Sequence, residues 1–188
     1  MFVLDSESIR KSKLTVGLVI SNILIYIFFL PFQGYIYYFT QINIAIFNNF
    51  EIWRLFTAMF IHGDLTHLIS NMFGLFLFGI FIESSFSKTK FLIIYFVSGI
   101  IGNVFSLFLL PPYVISFGAS GAVFGLIGAN LIIVLREGYT PLIFIGLVYV
   151  IYFLISSFLP GINYFAHIFG LIGGLILGYL FRRDKLRE

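Results

Sequence analysis

A serine and three histidines are the side chains of this sequence that could serve as a nucleophile and its base. Ser120 stands in the glycine-rich stretch "SFGASGAVFGLIGA", and the histidines are His62, His67 and His167. A serine hydroxyl attacks a carbonyl carbon efficiently only when a neighbouring base accepts its proton, and imidazole is the commonest such base. Ser120 and a histidine are therefore candidates for covalent catalysis, although a lone serine in an apolar segment is more often a packing residue.

Other catalytic chemistries lack the residues that they need. The chain has no cysteine, so a thiol nucleophile, a disulfide and a cysteine-bound metal are excluded. Its eight acidic residues all fall at segment ends or in loops, which excludes a buried aspartate pair and a carboxylate pathway for ions. The zinc-protease motif H-E-x-x-H is also absent, so the sequence predicts neither a metal nor a cofactor. Without an acid to orient the histidine, the catalytic pair would be a dyad rather than a triad.

The elements that must position these residues are apolar segments long enough to cross a membrane. Of 188 residues, 60% are hydrophobic and 10% are charged, whereas soluble domains carry about 25% charged residues. Six apolar runs, each near the ~17–25 residues of a spanning helix, are predicted to be helices. They cover about 14–30, 65–82, 91–110, 119–135, 141–159 and 164–181. The predicted fold class is an all-α polytopic membrane protein, a six-helix bundle forming one domain over 1–188.

The distribution of lysine and arginine predicts the orientation of this bundle. With the N-terminus inside, ten of the eleven basic residues fall on inner segments, and only Arg54 falls outside. This asymmetry accounts for the net charge of +3 without a nucleic-acid partner. Neither a cleavable signal nor an extra helix is visible, so we expect a prokaryotic plasma membrane with both termini in the cytoplasm.

The first loop, about 31–64, is long and still rich in Ile, Phe and Tyr. It is too polar and too interrupted to span the membrane. Its aromatic side chains, together with the pair Trp53-Arg54, favour a folded insert that lies in the outer interface. His62 ends this loop, where an interfacial structural role is the simplest interpretation.

Residue counting predicts that Ser120 and His167 lie at one depth. Ser120 stands sixteen residues before Arg136 and His167 fifteen before Arg182, so each is about 22–24 Å of helix from the inner edge. Both also lie beside glycines that share a helix face, and small residues let helices approach closely. These glycines are Gly121, Gly125 and Gly128 beside Ser120, and Gly170, Gly174 and Gly178 beside His167. If the two faces pack together, Ser120 and His167 come within hydrogen-bond reach.

The second helix could bind the oxyanion that a serine attack creates. His67 and Asn71 are four residues apart, so they share a helix face, and both side chains can donate hydrogen bonds. The backbone N–H of Ser120 is a third donor, because it lies near a helix start and lacks an intrahelical partner. Taken singly, His67 and Asn71 are more often residues that form hydrogen bonds between helices.

Together these residues form a pattern that resembles the rhomboid intramembrane serine proteases. That family has a Trp-Arg pair in a long first loop, His-x4-His-x3-Asn entering the second helix, Gly-x-Ser-Gly opening the fourth and Ala-His-x2-Gly in the sixth. Here the elements stand in that order as Trp53-Arg54, "HGDLTHLISN", "GASG" and "AHIFG". The resemblance covers nearly the whole chain.

The resemblance implies a serine endopeptidase that cleaves the transmembrane helices of single-pass or polytopic membrane proteins near their outer end. It implies Ser120 as nucleophile, His167 as general base, and His67, Asn71 and the Ser120 amide as the oxyanion site. The remaining implied positions are structural: Trp53, Arg54 and His62 in the first loop, and Gly118, Gly121, Gly170 and Gly174 around the dyad.

One position departs from the pattern of the family. Relatives often carry tyrosine four residues after the serine, stacked on the catalytic histidine, whereas this chain has Phe124. A phenyl ring can stack but cannot form a hydrogen bond through a hydroxyl, so we expect retained activity with slightly looser support of His167.

Two other functions compete with proteolysis. A rhomboid-like membrane chaperone without activity is expected to have lost the serine or the histidine, and both are present here. A small transporter or channel predicts paired half-helices or an ionisable residue on a pathway, and neither is visible. The expected partners are the lipid bilayer and membrane-protein substrates, with no nucleic acid.

Overall fold

Long helices dominate this chain, whose computed structural model describes residues 6–137, 147–148, 151–152, 155 and 162–184. The helices are α1 (Ser6–Lys11), α2 (Lys13–Phe29), α3 (Asn43–Asn49), α4 (Arg54–Thr57), α5 (Leu65–Ser85), α6 (Lys88–Leu109), α7 (Ser120–Glu137) and α8 (Tyr164–Asp184). Two 3-10 segments, Leu30–Tyr38 and Ala58–Phe60, and two short strands, β1 (Gln41–Ile42) and β2 (Ile115–Ser116), complete the described elements.

Within this described part, four stretches are long and apolar enough to cross a membrane. They are Lys13–Tyr38, Leu65–Ser85, Lys88–Leu109 and Tyr164–Arg182. Helix α7 is apolar over a shorter stretch, Ser120–Leu135, which extends about 24 Å against a hydrocarbon core of about 30 Å. The chain is therefore a multi-pass helical membrane protein, as predicted. Because α7 begins at Ser120, this serine lies at the N-terminal end of that shorter apolar helix.

The ends of the helices differ from the predicted ones for local reasons. Helix α2 ends at Phe29, but the chain continues in 3-10 turns up to Tyr38, with Pro31 near their start and non-helical backbone at Phe32. Helix α6 begins three residues before the predicted position 91, because the Ser87 hydroxyl accepts a hydrogen bond from a backbone N–H of its first turn. The helix predicted over 141–159 lies almost wholly outside the described residues.

The first loop is folded, and it pairs with the chain just before α7. Strand β1 lies antiparallel to β2, with Gln41 opposite Ser116 and Ile42 opposite Ile115. Several aromatic side chains of the loop remain exposed, namely Tyr35, Tyr38, Phe50 and Trp53. The pairing ties the first loop to the segment that leads into Ser120.

Helix α7 lies at the centre of the bundle. Every residue from Gly121 to Asn130 is buried, and α7 packs against α5, α6 and α8. Large side chains that are wholly buried, such as Phe91, Tyr95 and Leu75, fill the space around it. A polar group on this helix is therefore surrounded by protein rather than by lipid.

A buried carboxylate holds α2 against the far end of α5. Glu83 is 7% exposed and accepts hydrogen bonds from the backbone N–H groups of Leu14 (3.1 Å) and Thr15 (2.8 Å) and from the Thr15 hydroxyl (2.8 Å). The first amides of a helix have no partner within it, so this carboxylate satisfies the start of α2. The predicted second helix ended at residue 82, whereas α5 includes Glu83 in its last turn.

Candidate active site

Helices α7 and α8 pack backbone against backbone along their glycine faces. A Cβ atom at Gly170 would collide with the carbonyl group of Gly121, and one at Gly174 would collide with the carbonyl group of Gly125. Only residues without a side chain permit so close an approach. The helix pairing that the glycine spacing predicts is the pairing in the structure.

This packing brings Ser120 and His167 together. The Oγ atom of Ser120 lies 2.7 Å from Nε2 of His167, which is within the range of a hydrogen bond between a hydroxyl group and an unprotonated imidazole nitrogen. His167 is buried, at 6% exposure, whereas Ser120 is half-buried. The two residues come from different helices, separated by 47 positions in the chain.

Phe124 covers one face of the His167 ring. The two rings are stacked, with centroids 4.5 Å apart and an angle of 16° between their planes. Phe124 lies one turn after Ser120 on α7, so the same helix face presents the serine and the ring. Because Phe124 is fully buried, it restricts the orientation in which His167 meets the serine.

His67 faces the loop that precedes Ser120. The Asp64 side chain caps α5 by accepting a hydrogen bond from the backbone N–H of His67 (2.8 Å). Gly118 has a φ angle of +123° and donates its backbone N–H to the carbonyl of Ala58 (2.9 Å). A Cβ atom at Gly118 would lie 2.7 Å from Nε2 of His67 and 3.7 Å from Oγ of Ser120. The absence of a side chain at position 118 therefore leaves open the space between His67 and Ser120.

Asn71 lies one turn after His67, but its amide forms a hydrogen bond within α5. Its Nδ2 group donates to the backbone carbonyl of His67 (3.0 Å). Asn71 is 3% exposed, and its Oδ1 atom has no hydrogen-bond partner among the described residues. The role of Asn71 as an oxyanion donor stays a prediction.

His62 is buried against His67, whereas the sequence favours an interfacial position. It is 2% exposed, and its ring lies edge-on to the His67 ring with centroids 5.0 Å apart. Neither ring nitrogen has a partner in the described part of the chain. Burial, with a smaller contribution from His67, lowers the pKa of His62 to about 3, so the ring is neutral near pH 7. A cavity of about 380 Å³, lined also by Gln33, Thr40 and Phe117, lies beside it.

The Trp53-Arg54 pair organises the first loop. Arg54 is 5% exposed and donates to the backbone carbonyls of Thr40 (2.8 Å) and Tyr37, and it forms an ion pair with Glu51. Hydrogen bonds from Asn49 and Arg54 lower the pKa of the Glu51 carboxyl group. Trp53 is half exposed, and its indole N–H donates to the carbonyl of Tyr38 (3.4 Å). These contacts, all within the first loop, support a structural role for the pair.

Asn163, a polar residue four positions before His167, was not predicted from the sequence as a site residue. Asn163 immediately precedes α8, and its side chain accepts a hydrogen bond from the backbone N–H of Ala166. An asparagine directly before an apolar helical run is a common N-cap signal, which could have marked it. Among the residues that the structure describes, no three acidic or histidine side chains gather as a metal ion would require.

Comparison with known proteins identifies the family to which this chain is similar. The Rhomboid domain family matches residues 49–184. YdcA of Bacillus subtilis (strain 168), named provisionally as a rhomboid protease, is 37% identical over 155 residues, which cover 79% of this chain and 76% of YdcA. Rhomboid-like protease 3 of Toxoplasma gondii is 34% identical over 148 residues, or 73% of this chain and 55% of that protein.

A further relative carries a different functional name. RHOMBOID-like protein 8 of Arabidopsis thaliana, which is named as inactive, is 37% identical over 134 residues, or 68% of this chain. This chain spans only 38% of the length of that relative. Since the family match extends over most of the sequence, the chain belongs to the rhomboid family of multi-pass membrane proteins.

Proposed function

We propose that this protein is an intramembrane serine endopeptidase that cleaves transmembrane helices of other membrane proteins near their outer end. Ser120 is the nucleophile and His167 is its general base. The observation that carries the proposal is the 2.7 Å separation of Ser120 Oγ and His167 Nε2 across the α7–α8 interface. Membership in a family with relatives named as proteases supports the same reaction.

The reaction follows from this pair in two halves. In the first, Nε2 of His167 accepts the hydroxyl proton while Oγ of Ser120 bonds to the carbonyl carbon of the scissile peptide. The tetrahedral intermediate collapses as His167 returns the proton to the departing amine, which leaves an acyl ester on Ser120. In the second half, His167 accepts a proton from water, the hydroxide oxygen attacks the ester carbon, and Ser120 leaves with its proton restored.

The negative oxygen of each tetrahedral intermediate needs hydrogen-bond donors. The backbone N–H of Ser120 is available because it opens α7, where the helix dipole also favours negative charge. The His67 ring is the second donor, since the empty space at Gly118 separates it from Ser120. Asn71 becomes a third donor if its amide leaves the carbonyl of His67 during the reaction.

The substrate must present an extended peptide bond to Ser120. A helical carbonyl is already bonded to an amide of the next turn, so the substrate helix must unwind locally before attack. Residues that weaken a helix, such as glycine or proline, should therefore favour cleavage when they lie near the scissile bond. The partners are single-pass or polytopic membrane proteins and the surrounding lipid.

The proposed orientation places the dyad near the outer surface and both termini in the cytoplasm. Lysines lie at the starts of α2 and α6, and Arg182 lies at the end of α8. All three positions are at the end of the bundle opposite Ser120 and His167. The preference of basic residues for the inner surface supports this orientation.

A purified, reconstituted enzyme tests the proposal with a membrane-embedded substrate. Ser120→Ala and His167→Ala should each lower the cleavage rate by about 10³-fold or more. Ser21→Ala is the matched control, because this serine also lies in a spanning helix, where its hydroxyl donates to the carbonyl of Gly17 one turn earlier. Near-wild-type cleavage by either dyad variant would refute the proposed mechanism.

The second candidate function is a membrane-protein binding protein without catalytic activity. The observation in its favour is the 37% identity to a relative named as inactive. This candidate predicts that Ser120→Ala binds and stabilises its partners as well as the wild type does. It also predicts that a fluorophosphonate does not label Ser120 in the wild type, whereas the protease proposal predicts labelling.

A further inference from the structure

Asn163 joins three parts of the bundle through one side chain. Its Oδ1 atom accepts a hydrogen bond from the backbone N–H of Ala166 (3.0 Å) and so caps α8. Its Nδ2 group donates to the hydroxyls of Ser106 in α6 (2.9 Å) and Ser116 in β2 (3.1 Å). An amide side chain carries two N–H donors and one carbonyl, and all three are used here.

The cap and the bond to Ser106 hold the start of α8 against α6. Gly102 of α6 approaches Ala166 so closely that a Cβ atom at Gly102 would lie 2.6 Å from the Ala166 carbonyl oxygen. The Ser106 hydroxyl in turn donates to the carbonyl of Gly102 (2.7 Å). His167 directly follows Ala166, so hydrogen bonds and close packing both fix the helix at the residue before it.

The hydrogen bond from Asn163 to Ser116 affects the position of Ser120, the other member of the dyad. Ser116 is buried, at 7% exposure, and is the strand partner of Gln41. Ser120 follows four residues later, and the intervening Gly118 is itself bonded to the carbonyl of Ala58 (2.9 Å). Because this connection is short and held at both ends, a displacement of Ser116 is transmitted to Ser120.

We propose that Asn163 is a positioning residue that sets the relation between Ser120 and His167 by tying β2, α6 and the first turn of α8 together. The inference rests on the proposed protease function, because it concerns the rate of the reaction at this dyad. It assigns Asn163 no contact with the substrate. The glycine faces fix how closely α7 and α8 approach, whereas Asn163 fixes how the segment before Ser120 meets the segment before His167.

Two substitutions distinguish the hydrogen bonds of Asn163 to Ser106 and Ser116, called the tie below, from its capping of α8. Serine is as good an N-cap as asparagine, but its hydroxyl is too short to reach Ser106 and Ser116 as well, so Asn163→Ser keeps the cap and removes the tie. Ser116→Ala removes one bond of the tie without touching α8. Asn49→Ala is the matched control, because Asn49 is an exposed asparagine of the first loop that bonds Glu51.

The readouts are the thermal midpoint in detergent, kcat and KM for a membrane-embedded substrate, and the rate at which a fluorophosphonate labels Ser120. Asn163→Ser should lower both kcat and the labelling rate about tenfold, since a displacement of about 1 Å in a catalytic group costs up to about a hundredfold. KM should stay near the wild-type value, and the midpoint should fall only slightly, by as much as the loss of two hydrogen bonds to hydroxyl groups allows. The double variant Asn163→Ser/Ser116→Ala should be no slower than Asn163→Ser alone, because the shared bond is already lost.

Two results would overturn the inference while leaving the protease proposal intact. One is wild-type kcat and labelling in Asn163→Ser and Ser116→Ala, alongside inactive Ser120→Ala. The other is a loss of kcat that merely follows a lowered midpoint, which would assign Asn163 to stability alone. If wild-type protein neither cleaves nor reacts at Ser120, the proposed function fails and this inference fails with it.

Discussion

Gly174 of α8 meets the carbonyl group of Gly125 in α7 more closely than any other residue type would allow. Ser120 opens α7, and His167 lies two turns before Gly174 on the same face of α8. The separation of the two helix axes at the glycines therefore sets the separation of the Ser120 and His167 side chains. In the proposed mechanism, the geometry of the dyad depends on packing between rigid helices.

Gly174→Ala tests this dependence. The added methyl group must push α8 away from Gly125, so we expect the cleavage rate to fall by about 10²-fold if the dyad opens by about 1 Å. The matched control is Gly17→Ala in α2, where a Cβ atom meets nothing within 4 Å. Kinetics and thermal unfolding of the two variants in one detergent provide the comparison, and equal activity would contradict the packing argument.

Gly118→Ala tests the space proposed for the oxyanion. Alanine is strained at a φ angle of +123°, and its methyl group would meet the His67 ring. Displacing one oxyanion donor costs about 10²–10³-fold in kcat, and we expect a loss of that size. Gly34→Ala, where a Cβ atom also meets nothing within 4 Å, serves as the control. An active Gly118→Ala enzyme would show that the oxyanion lies elsewhere.

The glycine spacing predicted that α7 and α8 pack together and bring Ser120 close to His167, whereas the contacts around these two residues were not predictable. The α7–α8 pairing has a local signature, since the glycines recur at helical spacing beside Ser120 and His167. The pairing of Gln41 with Ser116 joins residues far apart in sequence and leaves no periodic signal in segments of two residues. For the same reason, the three bonds of Asn163 could not be predicted beyond its capping role.

Burial was also harder to predict than position. His62 was placed at the end of the first loop, but a sequence does not show that two histidine rings will pack against each other there. Glu83 was grouped with the acidic residues at segment ends or in loops, whereas it lies buried against the start of α2. In both cases the role of the residue depends on a packing neighbour that the sequence alone does not identify.

The neutral ring of His62 should make stability depend on pH. Its pKa is lowered to about 3 in the folded protein, against about 6.5 in an unfolded chain. At pH 7 the ring is neutral in both states. As the pH falls below 6.5 the unfolded state binds the proton first, so folding stability decreases, by about 1.4 kcal/mol per pH unit at most.

His62→Gln isolates this contribution, because it removes the titrating group while retaining polar atoms. Thermal midpoints of the variant and the wild type, measured in steps from pH 7 to pH 4, should converge as the pH falls. Titrating groups that lie away from His62 cancel in the difference, whereas His67 contacts the His62 ring and is coupled to it. Parallel curves over this range would mean that His62 is not held neutral by burial.

Glu83 should contribute much of the free energy that holds α2 against α5. Glu83→Ala leaves the buried donors of Leu14 and Thr15 without an acceptor, and each such group costs about 1–3 kcal/mol. Glu83→Gln keeps one acceptor oxygen and should be intermediate. Glu7→Gln is the control, because the exposed pair of Glu7 and Lys11 contributes about 1 kcal/mol or less. Thermal unfolding in detergent should rank Glu83→Ala as the least stable variant, followed by Glu83→Gln and then Glu7→Gln. A Glu83→Ala protein as stable as the wild type would contradict this ranking.

The most direct test of the central claim is the chemical reactivity of Ser120 itself. Purified protein in detergent is treated with a fluorophosphonate, and mass spectrometry of its peptides locates the modified residue. The account predicts a single adduct on Ser120, lost in Ser120→Ala and slowed by about 10³-fold or more in His167→Ala. Folded wild-type protein without an adduct on Ser120, or equal labelling in His167→Ala, would contradict the assignment of these two residues as a catalytic dyad.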